Sequence, residues 1–232
     1  MNQFNKWTLV VFGVSVLSLA ACGENEDTEE SPTGKGPQQE ETIEYEALNG
    51  VQQIPANPER VVLLSDVYFG YLQELDVNVI ATTDYVFQSP FLNEYTDGVE
   101  NLGDGSAVSV EEVLALDPDL IISYHNSEIL EQLEDITTTV AVDYATLGYK
   151  EQLMEFGEMF GRQDQAAEWI DNWESQIDEL KPDVQAAVVI EQSLLCNRQK
   201  AMFDLYGNGW GRGGEILYEE LELMMLQRLR KK

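Results

Sequence analysis

The sequence predicts an α/β fold on a parallel sheet, and three observations predict it. Short apolar runs such as Val61-Val62-Leu63-Leu64 and Leu120-Ile121-Ile122-Ser123 show no polar alternate face, as expected of strands covered on both sides. Helical stretches lie between these runs, the pattern of strand–helix–strand units. Turn signals precede them: Asn57-Pro58-Glu59-Arg60 before the first and Asp117-Pro118 before the second.

The elements follow in order. Val61–Leu64 is the first strand, Asp66–Leu75 a helix and Val77–Ala81 the next strand. Ser109-Val110-Glu111-Glu112 reads as a capping box, with Ser109 as cap and Glu112 reaching back from the third helical position. Leu120–Ser123 is a buried strand, Glu128–Glu134 a short helix and Thr138–Val142 a fourth strand. From Tyr149 the period changes. Leu153, Phe156, Met159 and Phe160 fall at helical spacing, and so do Ala166, Trp169, Ile170, Trp173, Ile177 and Leu180. Gly161 and Arg162 separate the two helices. The second, about 20 residues, would run about 30 Å. Ala186–Glu191 begins a new strand, Lys200–Tyr206 is its neighbour, and Gly213–Glu222 is a helix. A strand pair and one helix cannot bury a core alone, so this last region is expected to be an incomplete domain.

Composition excludes several functions. With 232 residues, 13 Lys+Arg against 43 Asp+Glu and a net charge of −30, the surface repels phosphate backbones, which argues against nucleic acid. One His and two Cys leave no zinc finger, histidine cage or disulfide scaffold. No nucleophile–base pair is visible: Gly-x-Ser-x-Gly is absent, and His125 stands between Tyr124 and Asn126 without a nucleophile beside it. An enzyme is therefore not expected.

The first 22 residues read as an export address. The apolar run Trp7–Ala21 is shorter than the ~20 residues that span a bilayer and suits a signal core. It ends in Leu19-Ala20-Ala21-Cys22-Gly23, which resembles a bacterial lipobox, so Cys22 is the expected lipidation site. Two acyl chains give stable anchoring. Residues 23–42 hold seven Asp/Glu and no large apolar side chain, the composition of a disordered tether.

Candidate ligand contacts come from two regions. In Gly207-Asn208-Gly209-Trp210-Gly211-Arg212-Gly213-Gly214 the glycines miss both phosphate-loop spacings. What remains is a flexible backbone presenting an indole and a guanidinium, with Tyr206 just before it. Arg212 suits bidentate pairing with anionic oxygens, and Trp210 offers a flat wall with a donor edge. Packing of Trp210 in a glycine-rich turn is the equal alternative. The second region is the aromatic loop after the second strand, with Tyr85, Phe87, Phe91 and Tyr95. Ligands of open α/β sheets bind beyond the carboxyl ends of strands, where this loop and Tyr124-His125 both lie.

Together these residues resemble the substrate-binding lipoproteins of iron–siderophore ABC importers. The resemblance rests on the lipobox, the acidic tether, Asn57–Val62, Ser109–Ile122 and Tyr206–Tyr218. The Trp-Gly-Arg-Gly-Gly segment is most similar to the ferric-hydroxamate branch. The resemblance implies a two-lobed class III solute-binding-protein fold with a long interlobe helix, Gln163–Val184, and here an incomplete second lobe. It divides the chain into a signal peptide (1–22), the tether (23–42), an N-terminal lobe (43–148), a helical hairpin (149–185) and a shortened C-terminal lobe (186–232). It implies a monomer that binds a ferric hydroxamate siderophore without a cofactor or protein metal ligand. It implies delivery of that cargo to ABC permease subunits. Trp210, Arg212 and Tyr206 would face the cleft from one lobe, and Tyr85, Phe87 and Tyr124 from the other. Glu111, with Glu112 as its neighbouring substitute, would meet a permease arginine. A first-turn helix acid favoured by the dipole accounts for Glu111 equally well. A haem or cobalamin receptor of the same fold is the alternative, haem requiring an axial ligand such as Tyr124 or His125. A shortened chain that no longer binds is another.

Overall fold

A computed structural model describes residues 41–144, 146–187, 195–199, 202–206 and 213–223. All belong to one compact unit, Gln39–Lys232. Its centre is a five-stranded, wholly parallel sheet of β3 (Val61–Leu63), β4 (Val79–Thr82), β5 (Glu100–Asn101), β6 (Leu120–Tyr124) and β7 (Thr139–Val142), in the order β5-β4-β3-β6-β7. The expected strands are present because their apolar runs are covered on both faces. Val61, Leu63, Leu120 and Ile122 point into one core, while Val62 and Ile121 point into the other.

The first core is closed by α1 (Phe69–Glu74), α5 (Tyr149–Met159) and the start of α6 (Gln163–Ala187). These supply Phe69, Leu72, Leu153, Phe156, Met159 and Ala166. The second is closed by α3 (Val110–Ala115) and α4 (Leu130–Glu134) through Val113 and Leu133. Ser109 caps α3 by accepting from the Glu112 amide at 3.3 Å. The reciprocal half of the expected box differs: the Ser109 hydroxyl donates to Glu111 at 2.9 Å.

Scarce cations close helix ends. Arg60 donates from Nε to the Asp117 carbonyl at 2.8 Å and from Nη2 to the Leu116 carbonyl, beyond the last turn of α3. The Arg162 guanidinium donates to the Leu75 carbonyl behind α1. Both satisfy carbonyls that a helix leaves without internal donors. The Asn57–Arg60 turn is held by Asp119, whose carboxylate accepts from the amides of Glu59 (2.6 Å) and Arg60 (3.0 Å). Gly161 breaks α5 from α6 at φ +64°, a conformation that favours glycine.

Four features differ from the sequence expectation. Residues 42–55 form an antiparallel hairpin, β1 (Thr42–Ala47) with β2 (Gly50–Pro55). The residues after β4 form a helix, α2 (Asp84–Gln88), rather than a loop. Helix α6 runs 25 residues, through Pro182 to Ala187, so Ala186 and Ala187 are helical and do not start a strand. The following pair is β8 (Leu195–Gln199) with β9 (Met202–Tyr206), antiparallel. Residues Gly213–Leu223 hold a helical turn that widens to π geometry over Ile216–Glu220, and this segment packs against α5 and α6.

Candidate functional site

In the sheet, β3 pairs with β4 on one side and with β6 on the other. The chain winds outward to β5 in one direction and to β7 in the other, so a topological switch point falls between β3 and β6. The crevice beyond the carboxyl ends at such a point is where open α/β sheets bind ligands. Ser65 and Asp66 leave β3 there, Thr83 and Asp84 leave β4, Tyr124 and His125 leave β6, and Asp143 leaves β7.

These residues are organised among themselves. Asp66 accepts a hydrogen bond from the Thr83 hydroxyl. Burial pushes the Tyr124 phenol above its ordinary range, with Asp66 and Tyr68 adding to the effect. The Val67 amide, which bonds the phenol oxygen, opposes that shift without cancelling it. Buried Tyr68 donates to the Asp143 carbonyl. The His125 imidazole lies 3.4 Å from the Asp143 carboxylate, both being well exposed. Ser65 is fully buried, and its hydroxyl has no hydrogen-bond partner among the described residues. The border carries Asp66, Asp84 and Asp143. Four cations have their partners elsewhere: Arg60 and Arg162 on helix carbonyls, Lys150 on Glu174 and Glu220, Lys181 on Glu222.

The expected contact residues separate into three groups. Phe87 and Tyr124 are half-buried, and each packs against the first core cluster. Tyr85, two residues before Phe87 on α2, is 49% exposed. Val86, between them on α2, is buried. Tyr206 is the last residue of β9, opposite Leu195. Trp210, Arg212 and Cys22 lie outside the described residues. Glu111 stands exposed in the first turn of α3. Its own amide and the Ser109 hydroxyl hold its carboxyl below the usual range, so it stays charged.

Sequence reasoning missed Ser65 and Asp66, although the end of the apolar run at Leu64 marks where strand gives way to crevice. It also missed Glu220, for which no local signal exists. Among the described residues, no three His, Cys, Asp or Glu side chains are grouped to hold a metal ion. No helix among them is long and apolar enough to cross a membrane.

The comparisons agree with this architecture. The family model described as "Periplasmic binding protein" matches residues 61–202. The iron(3+)-hydroxamate-binding protein FhuD of Bacillus subtilis is 37% identical over 94% of this chain and 68% of its own length. A crystal structure from Bacillus subtilis, described as the binding-protein component of a Fep/Fec-like ferrichrome ABC transporter, superposes with a TM-score of 0.75. It is 38% identical, over 81% of this chain and 69% of that one. FhuD2 of Staphylococcus aureus with bound ferrioxamine B gives a TM-score of 0.68 at 31% identity, over 75% and 67% of the two chains. The chain belongs to the periplasmic binding protein family. Its fold is that of the FhuD-like class III binding proteins, and it is a binding protein rather than an enzyme.

Proposed function

We propose that this chain is a lipid-anchored receptor that binds a ferric hydroxamate siderophore and delivers it to an ABC importer. The observation that carries the reading is the 37% identity to an iron(3+)-hydroxamate-binding protein across 94% of the chain. The switch-point crevice supports it, because it is the place where this sheet topology takes ligands. In this reading the siderophore supplies every iron ligand and iron is cargo. Trp210 and Arg212 meet the complex from one side, with Tyr206, while Tyr85, Phe87 and Tyr124 wall the other. Arg212 pairs with the hydroxamate oxygens, and Trp210 stacks on the complex. Cys22 carries the lipid, and Glu111 presents its charge to the permease.

The test is tryptophan fluorescence of residues 23–232 titrated with ferrioxamine B, ferrichrome and haem. Saturable quenching by a ferric hydroxamate is expected, lost in Trp210→Ala and Arg212→Ala while circular dichroism is unchanged. Saturation by haem alone, with a Soret shift, would replace this reading with the haem receptor. No quenching by any ligand from a folded sample would leave a chain without receptor activity.

A further inference from the structure

A cavity of about 360 Å³ lies between the β1–β2 hairpin, strand β7 and helix α5. Its size falls in the range of small-molecule sites. Strand β1 supplies Tyr45 and Glu46, the hairpin turn Leu48, the end of β7 Val142, and α5 both Gln152 and Glu155. None of Tyr85, Phe87 and Tyr124 lines it.

Gln152 points to a ligand. It is only 7% exposed, yet its carboxamide has no hydrogen-bond partner among the described residues. The Ser65 hydroxyl is the one side-chain donor or acceptor among those residues that is both sealed from solvent and unbonded. The Gln152 carboxamide is thus not sealed: it meets open space, and the space it lines is this cavity. A buried amide left without a partner is costly, and a bound molecule can supply one. Glu155 stands three residues further along α5, so the two side chains leave one face of the helix together.

The lining sets the sign of that molecule. Its charged residues are Glu46, Asp143 and Glu155, and among the described residues no Lys, Arg or His lines it. Glu155 accepts from the Tyr45 hydroxyl. Burial, with Glu155 and Glu158 adding to it, pushes the Tyr45 phenol above its ordinary range, so Tyr45 stays a donor. An anion is repelled here, and a neutral molecule leaves the carboxylates unused. A metal ion needs grouped ligands, and among the described residues no three His, Cys, Asp or Glu side chains are grouped to hold one. Ala47, Leu48, Ala141, Val142 and Leu147 add an apolar wall, of which Leu48 and Leu147 are 63% and 41% exposed.

We propose that this cavity binds a small primary alkylammonium ion, whose N–H groups meet the Gln152 carboxamide oxygen and the Glu155 carboxylate while its alkyl chain covers the apolar wall. An ammonium group has three donors and no acceptor, which suits a carboxamide oxygen beside a carboxylate. The site does not rest on the receptor reading.

The test titrates the full chain with hexylammonium, hexan-1-ol and hexanoate, which share an alkyl chain and differ in the head group. The buffer is phosphate, free of amines, with about 0.15 M sodium chloride to screen the long-range charge of the chain. Calorimetry reads the affinity, and amide NMR shifts read the place. Hexylammonium is expected to saturate, at least about tenfold tighter than hexanol, with shifts at Ala47, Leu48, Ala141 and Gln152, while hexanoate does not bind. Gln152→Leu keeps the volume, and Glu155→Gln keeps an acceptor for Tyr45. Each is expected to weaken hexylammonium about tenfold, the scale of one hydrogen bond to a charged group. Equal affinity for hexanol and hexylammonium in wild type overturns the cation assignment, whether or not the variants fold. No saturation, or shifts that spare these four residues, overturns the site. Unchanged binding in both folded variants overturns the role of the two side chains.

Discussion

Asn49 completes the open edge of strand β7 by acting as a piece of strand itself. Its Oδ1 accepts from the Ala141 amide at 3.0 Å, and its Nδ2 donates to the Thr139 carbonyl at 2.8 Å and to Glu134 at 2.7 Å. The Leu48 amide adds a bond to the Ala141 carbonyl at 3.3 Å. The turn of the β1–β2 hairpin thus closes an edge that would otherwise present unpaired backbone groups. Asn49→Ala removes both side-chain bonds to that backbone and is expected to cost about 1–3 kcal/mol. Urea unfolding reads it directly. A midpoint equal to wild type would show that water replaces the carboxamide without loss.

Gly157 lets α5 and α6 touch. A Cβ at this position would stand 2.9 Å from the Ala166 Cβ and 3.3 Å from the Arg162 carbonyl and the Gln163 Cα. Two of these three neighbours are backbone and cannot swing away. Gly157→Ala gains up to about 1 kcal/mol of helix propensity, but overpacking costs about 1–3 kcal/mol, so the melting temperature is expected to fall. Adding Ala166→Gly should return part of the loss. A single variant more stable than wild type would mean that the helices separate freely here.

The Glu220 carboxylate accepts from the Tyr149 hydroxyl and from Trp173 Nε1 at 3.0 Å and pairs with Lys150 at 2.6 Å, and this node makes stability depend on acid. Burial raises the Glu220 carboxyl, but Lys150, Tyr149 and Trp173 outweigh it, and the net shift is below the ordinary value of 4.5. A depressed carboxyl contributes stability above its unfolded value, lost as pH falls through the folded one. Lys150 moves the other way: burial lowers it, Glu174 and Glu220 outweigh that, and it ends above 10.5. Its contribution is present below that value and lost in stronger alkali. Tyr149, held neutral by burial and by Glu220, and Glu215 are the remaining ionisable groups facing the node. Denaturant titrations below pH 4.5 should therefore fall more steeply in wild type than in Glu220→Gln. Equal slopes would remove Glu220 from the acid response.

Under the proposed function, Glu111 is the residue that would separate binding from transport. It stands exposed in the first turn of α3, and its own amide and Ser109 hold its carboxyl below the usual range. Glu111→Lys is expected to leave ferrioxamine B affinity within about twofold, and to slow uptake by cells at least about tenfold through like-charge repulsion at the permease. Normal uptake by that variant would assign Glu111 to the cap of α3 alone.

The doubly covered strands were legible in the sequence because both faces are apolar. Val61–Leu63 and Leu120–Ile122 could hardly be anything else, and Ser109 and Gly161 marked their helix ends by chemistry. The hairpin escaped because its strands alternate exposed with half-buried residues, so Glu44 and Glu46 masked Ile43 and Tyr45. The Asn49-Gly50 pair was the signal for it, the most favoured residues for a tight hairpin turn. Helix α2 escaped because five residues flanked by Pro90 carry no periodicity. Of the candidate site, Tyr124 could be placed from the end of its strand. The Glu220 node joins residues 71 positions apart, and no spacing rule reaches that far.

The use of Arg60 and Arg162 has a consequence for behaviour in brine. Arg60 and Arg162 bond neutral carbonyls, and such bonds survive dissolved salt, which screens full charges. The self-repulsion of a chain with net charge −30 does not survive it. Against that relief stand, among the described residues, three lysine–carboxylate contacts. Raising sodium chloride from dilute buffer to about 1 M, where the screening length shrinks to about 3 Å, should raise the melting temperature. The molecule is thus built so that ionic strength tightens it.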